Sequence, residues 1–364
     1  MSTQAQSEPT HPKEEGETAT APGGSDPGRA RVLLFAGICL SALFAALAYA
    51  WFDSSRLQSA NEAHRSETSA SSGELQALSV QPHVLFLQSD GDTYRRTAVT
   101  SLDAGGDVLL TDLECQRIAF NKDRGLCVGT GPFSGAAIVD SNFKALAEFS
   151  ISGIASRARI SPDGRYGSMT VFVQGHSYAE AGFSTRTAIV DMATGKFVME
   201  NLEELTVLRD GKKFEAIDFN FWGVTFQADS NRFYATLGSG GKTYLLEGNI
   251  QSREARVLRE NVECPSLSPD GTRLVFKKRV SGGLLDVKWQ LFVLDLATMT
   301  ERPISEARNV DDQAEWLDNS HVLYYLRDEG PPATIRPDVW VASVDEDVAP
   351  SRMWERAFSP SVVR

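Results

Sequence analysis

The chain has 364 residues, 42% of them hydrophobic, and its 48 Asp and Glu against 36 Lys and Arg give a net charge of -12. That apolar share suits a globular body of short, half-buried elements, and the acidic balance without a basic stripe excludes a nucleic-acid binder. The four cysteines and five scattered histidines show no CxxC or Cys/His metal spacing, so no metal and no cofactor is expected.

Residues 1–28 are rich in Ser, Thr, Glu, Pro and Gly. With almost no large apolar side chain they cannot offset their ordering entropy, and a disordered tail is expected up to residue 31. Residues 32–52 form an apolar run broken by no charge. About 20 such residues span a bilayer, so this run reads as a transmembrane helix, an uncleaved signal anchor. Tyr49 and Trp51 fit an interfacial aromatic belt. Arg29 and Arg31 before the run, against Asp53 and Arg56 after it, place the tail in the cytoplasm and the rest of the chain outside. The expected location is a cell membrane crossed once. A cleaved signal peptide competes, because Ala48-Tyr49-Ala50 resembles a cleavage site, but the run exceeds the usual ~7–15 residues. Residues 53–78, rich in Ser, Ala and Glu, read as a flexible tether.

Residues 79–364 carry a repeat. Ser161-Pro162-Asp163-Gly164 and Ser268-Pro269-Asp270-Gly271 each precede an apolar strand. Proline presets the second position of a turn, Asp bonds its own backbone and Gly accepts a positive φ. Degenerate copies occur at Phe120-Asn121-Lys122-Asp123, Phe226-Gln227-Ala228-Asp229 and Trp316-Leu317-Asp318-Asn319. A hairpin recurring every ~40–50 residues is the mark of a β-propeller, with one hairpin per blade. Labelled A to D outward from the axis, the strands give five full blades. A first blade near residue 83 lacks its A strand, which Ala357 to Val363 would supply. The expectation is an all-β, six-bladed propeller closed by its C-terminal strand. Regular turn spacing also suits an open β-sandwich.

Several motifs fail. The stretch from Thr236 to Thr243, with Gly238, Gly240, Gly241 and Lys242, lacks the first glycine of a phosphate loop and joins two strands, so it reads as a hairpin turn. No Gly-x-Ser-x-Gly elbow is present, so no catalytic residue is assigned. Cys115 and Cys127 fall on neighbouring strands of one blade, where a disulfide is possible, and Cys264 is left over.

One constellation stands out. Aligning the copies on Phe120, Ile160, Phe226, Leu267 and Trp316 brings the starts of the A strands to one channel mouth. Arg117, Arg157, Trp222, Glu263, Asp311 and Asp312 would converge there, and the insertion 201–218 would decorate the same face. Both charge signs and an aromatic suit a grip on a peptide or small ligand. The plainer reading is a set of charges pairing around a water-filled hole.

The Ser-Pro-Asp-Gly hairpins followed by Arg-hydrophobic strands resemble the propeller repeat of TolB-type proteins, over roughly residues 80–364. The resemblance implies a six-bladed, non-catalytic propeller that works at the bacterial cell envelope by binding other proteins. TolB carries a small α/β domain before its propeller, where this chain offers only a tether. The function expected is thus a membrane-tethered, monomeric module that binds an envelope protein or peptide. The alternative is a metal-dependent, lactonase-like hydrolase using Glu263, Asp311, Asp312 and Asn220 as oxygen ligands.

Overall fold

The computed structural model describes residues 69–364, apart from 103–104, 131–134, 174–183, 282–286 and 328–335, with a few positions between 37 and 48. The chain divides into two units, Met1–His64 and Arg65–Arg364. In the first, the described positions from 37 to 48 are helical. The membrane span expected over 32–52 otherwise lies outside the described residues, and among those described no helix is long and apolar enough to cross a membrane.

In the second unit the described strands form six sheets, each antiparallel over its four strands A to D from the axis outward, which makes a six-bladed propeller. The inner strands are Ala357–Val363 for blade 1, then Arg117–Asn121, Ile154–Ile160, Asn220–Phe226, Glu263–Leu267 and Glu315–Trp316 for blades 2 to 6. Closure occurs as the sequence suggests. His83–Gln88, the B strand of blade 1, pairs antiparallel with the C-terminal strand, His83 opposite Val363 and Gln88 opposite Ala357. Pro360 is tolerated because an A strand is the free edge of its sheet, and the register slips beside it.

The turn chemistry is visible atom by atom. Asp270 Oδ1 accepts from the Ser268 hydroxyl at 2.6 Å and the Thr272 N–H at 3.0 Å, while Ser268 Oγ accepts from the Arg273 N–H at 3.0 Å. Asp163 repeats the arrangement with Ser161 and Arg165. At the C-to-D turns Asp191 and Asp295 likewise accept from backbone N–H groups and from Thr194 and Thr298. The Ser268 and Thr298 bonds hold the Asp270 and Asp295 carboxyls below their ordinary range. At Asp163 and Asp191 partial burial pushes the other way and loses to the same kind of bonds.

The core lies between blades. Phe86 of blade 1 stacks on Trp354 of blade 6 with centroids 5.4 Å apart, and Tyr166, Phe221, Phe233 and Leu246 fill the gap between blades 3 and 4. Two segments depart from expectation. The tether expected over 53–78 ends early, because Ser72–Ser79 is a helix capped by a reciprocal Ser71–Glu74 box. Its Leu75 packs with Leu85, Phe120, Val139 and Val363, sealing the junction of blades 1 and 2. The insertion 201–218 does not decorate the channel mouth. Thr206–Arg209 pairs parallel with the outer strand Glu254–Glu260, and Lys212–Lys213 adds a sixth strand, so the insertion widens blade 4 at its rim. Leu202, Leu205 and Val207 draw it there by burying themselves between blades 3 and 4.

Candidate functional site, the central channel

The six inner strands build the channel as stacked rings. The residues used to align the repeats, with Val362 as the sixth, form an apolar collar. The residue before each forms a floor, Ala119, Arg159, Thr225, Ser266, Glu315 and Ser361. The second residue after each forms the rim, where Lys122, Pro162, Ala228, Pro269 and Arg364 line the same cavity. Together they enclose a funnel of about 350 Å³ on the face of the A-to-B turns. That falls at the small end of the ~300–1,000 Å³ typical of ligand pockets.

Across the floor, Arg159 of blade 3 reaches Glu315 of blade 6 at 3.3 Å. These blades stand opposite each other in a ring of six, so the pair bars the channel. Arg159 also donates to the Ala314 carbonyl at 2.8 Å, and Glu315 accepts from the Val362 N–H of the closing strand at 3.3 Å. The funnel is a blind cup.

Beyond the bar lies a neck, the mouth that the sequence singles out. Arg117, Arg157 and Asp312 do come together there, around a small cavity shared with Gln313 and Ser359. Arg117 donates to the Ser156 carbonyl at 2.7 Å and lies 5.8 Å from the Tyr325 ring centroid. Burial pushes the Asp312 carboxyl up, against the pull of Arg157 and Arg117, and its Oδ2 accepts from the Tyr325 N–H. Burial works against the charge of Arg157, but Cys264, Asp312, Tyr325 and Asp311 outweigh it and raise the guanidinium's pKa.

Of the other three expected residues, Asp311 still acts on Arg157, whereas Glu263 and Trp222 turn to other partners. Glu263 and Asp311 both face Lys277, Glu263 at 3.6 Å and Asp311 in direct contact. Lys277 is itself buried, 4.4 Å from the Trp289 centroid, and Glu263 also accepts from the Trp289 indole N–H at 3.0 Å. Trp222 is buried with its ring over Gly238, 2.8 Å from where a Cβ would stand. The cause is local. The inner strands of blades 4 and 5 slip register between Trp222 and Thr225 and between Glu263 and Ser266, at Gly223 (φ +65°) and Cys264 (φ +50°). A bulge of one residue re-aims the side chain before it.

This arrangement bears on the hydrolase alternative. Lys277 occupies the place between Glu263 and Asp311 that a cation would take, and guanidinium groups flank Asp312. Asn220 turns to blade 3, accepting from the Thr185 N–H at 2.9 Å. Among the described residues no group of three or more His, Cys, Asp or Glu could hold a metal. Cys115 and Cys127 are joined, with Cα atoms 5.5 Å apart, and Cys264 is buried and unpaired. The glycine-rich stretch is a hairpin, Ser239 opposite Lys242, and the Asp218 carboxylate already takes the Gly240 N–H at 2.6 Å that a phosphate would need.

No protein-family model matches the sequence, and no curated protein matches it. Solved structures do. TolB from Acinetobacter baumannii superposes with a TM-score of 0.56 at 15% identity, covering 78% of this chain and 67% of that one. The fold is a TolB-like propeller. A putative TolB from Agrobacterium tumefaciens scores 0.47 at 12% identity over 76% of this chain and 89% of its own. An oligogalacturonate lyase in complex with manganese scores 0.43 at 10% identity over 69% and 72%. At these identities the likeness is one of architecture, which does not fix an activity.

Proposed function

We propose that this chain is a non-catalytic, membrane-tethered propeller of the bacterial cell envelope whose turn-side funnel receives a protein or peptide partner. The observation that carries the reading is the blind funnel with its apolar collar, barred by Arg159 and Glu315 and rimmed by exposed Lys122, Pro162, Ala228 and Pro269. Its walls offer contact area, and their carboxylate side chain, Glu315, is held by Arg159. The neck residues act in this reading as the support beneath the cup, since Arg117 and Arg157 both donate to the Ser156 carbonyl and flank Asp312. The apolar run at 32–52 supports tethering, which raises local concentration so that weak contacts suffice.

Ala228→Trp fills the cup from an exposed rim position. Membranes carrying the full chain, treated with a crosslinker, should yield a partner adduct that this variant loses and Arg117→Ala keeps. An adduct indifferent to Ala228→Trp removes the funnel from the account. The anchor is tested by alkaline extraction, in which the chain should stay with the membrane. Release into the supernatant would contradict tethering.

A further inference from the structure

The chain enters the propeller in a fixed direction. The outer strand of blade 1, Leu109–Glu114, runs toward the neck, where Cys115 and Gln116 lead into the inner strand of blade 2. Ser69 donates to the Asp112 carboxylate on that strand and accepts from the buried Arg96 at 2.6 Å. Ala70 donates to the Leu110 carbonyl at 2.8 Å, nearer the funnel. Helix Ser72–Ser79 follows, and Ser79 to Pro82 line a groove with Lys122 on the funnel face. From Ser69 to Pro82 the chain therefore climbs from the neck side to the funnel side. Read backward, it leaves the propeller on the neck side, and residues 53–68 join it there to the apolar run at 32–52.

The neck face also exposes large apolar side chains across three neighbouring blades. Ile154 and Phe172 oppose each other at the neck ends of the first two strands of blade 3. Thr185, opposite Phe172, donates its N–H to Asn220 at the start of blade 4, three residues beyond Ile217. Val280 stands at the neck end of the second strand of blade 5. Ile154 is 68% exposed and Ile217 78%. Scattered apolar residues are ordinary on a surface, whereas several on one face mark an interaction site. The funnel face exposes Val80, Met299 and Val348 as well, so the direction of entry is what decides between the two faces. A net charge of -12 gives no attraction to an anionic surface, which leaves the contact to apolar side chains. Resting on the tethered reading above, we infer that the neck face lies on a lipid surface, with Ile154, Phe172, Ile217 and Val280 in its interfacial layer and the funnel opening away from it. Such side chains enter the boundary of headgroups and acyl chains, about 5–10 Å deep. Tethering supplies the local concentration that makes a few of them enough.

The test uses the full-length chain in phosphatidylcholine vesicles that carry a nitroxide on the acyl chain just below the headgroup. A fluorophore is attached to Ile154→Cys, Ile217→Cys or Ala228→Cys, each with Cys39→Ser, Cys264 being buried. Dyes at 154 and 217 should be quenched at least about threefold more than the dye at 228. Ile154→Asp together with Val280→Asp should cut the quenching at 217 by about half or more, with the variant melting like the parent. Quenching at 228 that equals or exceeds the other two overturns the face assignment. Quenching at none of the three, in vesicles that keep the chain through alkaline extraction, overturns the lipid contact and leaves the tether standing. Release of the chain into the supernatant overturns the tether and this inference with it. Quenching at 217 that the paired substitution leaves unchanged is proximity without contact, and overturns the inference too.

Discussion

The two ends of the channel are built from the same six strands, yet one is a cup and the other a knot of charges. At the turn end the strands are in register, so equivalent residues from every blade share a ring, and collar, floor and rim follow from the repeat. At the neck, bulges at Gly223, Cys264 and Ser359, all at positive φ, break that equivalence. Side chains that are equivalent by alignment there point to different places. At the funnel end the rings follow the repeat; at the neck the side chains follow the bulges.

This contrast can be broken by substitution. The largest effect is expected from removing residues 357–364, which strips blade 1 of its inner strand with the buried Ala357, Phe358, Val362 and Val363 and uncovers Val84, Leu85 and Leu87. The loss should be roughly 5 kcal/mol or more, comparable with the whole stability of a domain, and urea unfolding should lose its cooperativity. Phe86→Ala, at the blade 1 to blade 6 junction, should cost about 3–5 kcal/mol in the same assay. At the neck, Lys277→Ala leaves Glu263 buried without its cation and should cost about 2–3 kcal/mol, less than a fully buried pair because Asp311 is exposed. Lys122→Ala on the rim should stay within about 0.5 kcal/mol. Equal losses at the two ends would erase the distinction drawn between them. Replacing Cys115 and Cys127 by Ala removes a short covalent loop on the neck side and should cost about 2–3 kcal/mol.

The smallest effect is spread over the turn face. Asp163, Asp191, Asp229, Asp270, Asp295 and Asp318 all have carboxyls held below their ordinary range. The folded chain then binds their protons more weakly than the unfolded chain does. Their contribution is present above the unfolded value, near pH ~4, and is lost as pH falls through the folded values. Urea midpoints should drop below about pH 4, and Asp270→Asn together with Asp295→Asn should flatten that slope. A slope unchanged by both would place the acid sensitivity elsewhere.

Legibility in the sequence followed the same division. Blade count, closing strand and turn chemistry were readable because Ser-Pro-Asp-Gly states a backbone geometry directly. The frame set by Phe120, Ile160, Phe226, Leu267 and Trp316 already contained the funnel. Arg159 and Glu315 occupy the same frame position in copies three blades apart, so their meeting across the axis was derivable. The turning of Trp222 and Glu263 to other partners is not legible, because a bulge leaves almost no mark in sequence beyond an occasional glycine. The helix Ser72–Ser79 was hidden by a composition shared with tethers. Its signals were the Ser71-x-x-Glu74 box and the spacing of Leu75 and Leu78. Lys277 could not be connected to Glu263 and Asp311, because the contact spans strands that only the folded sheet brings together.

The account stands most directly on which end of the channel a partner touches. A photoreactive amino acid placed at Ala228 on the funnel rim, and separately at the exposed Ile154 on the neck face, compares the two ends in the same full-length chain. A partner crosslinked from position 228 and not from 154 is the expected result. Crosslinking from 154 with none from 228 would contradict it.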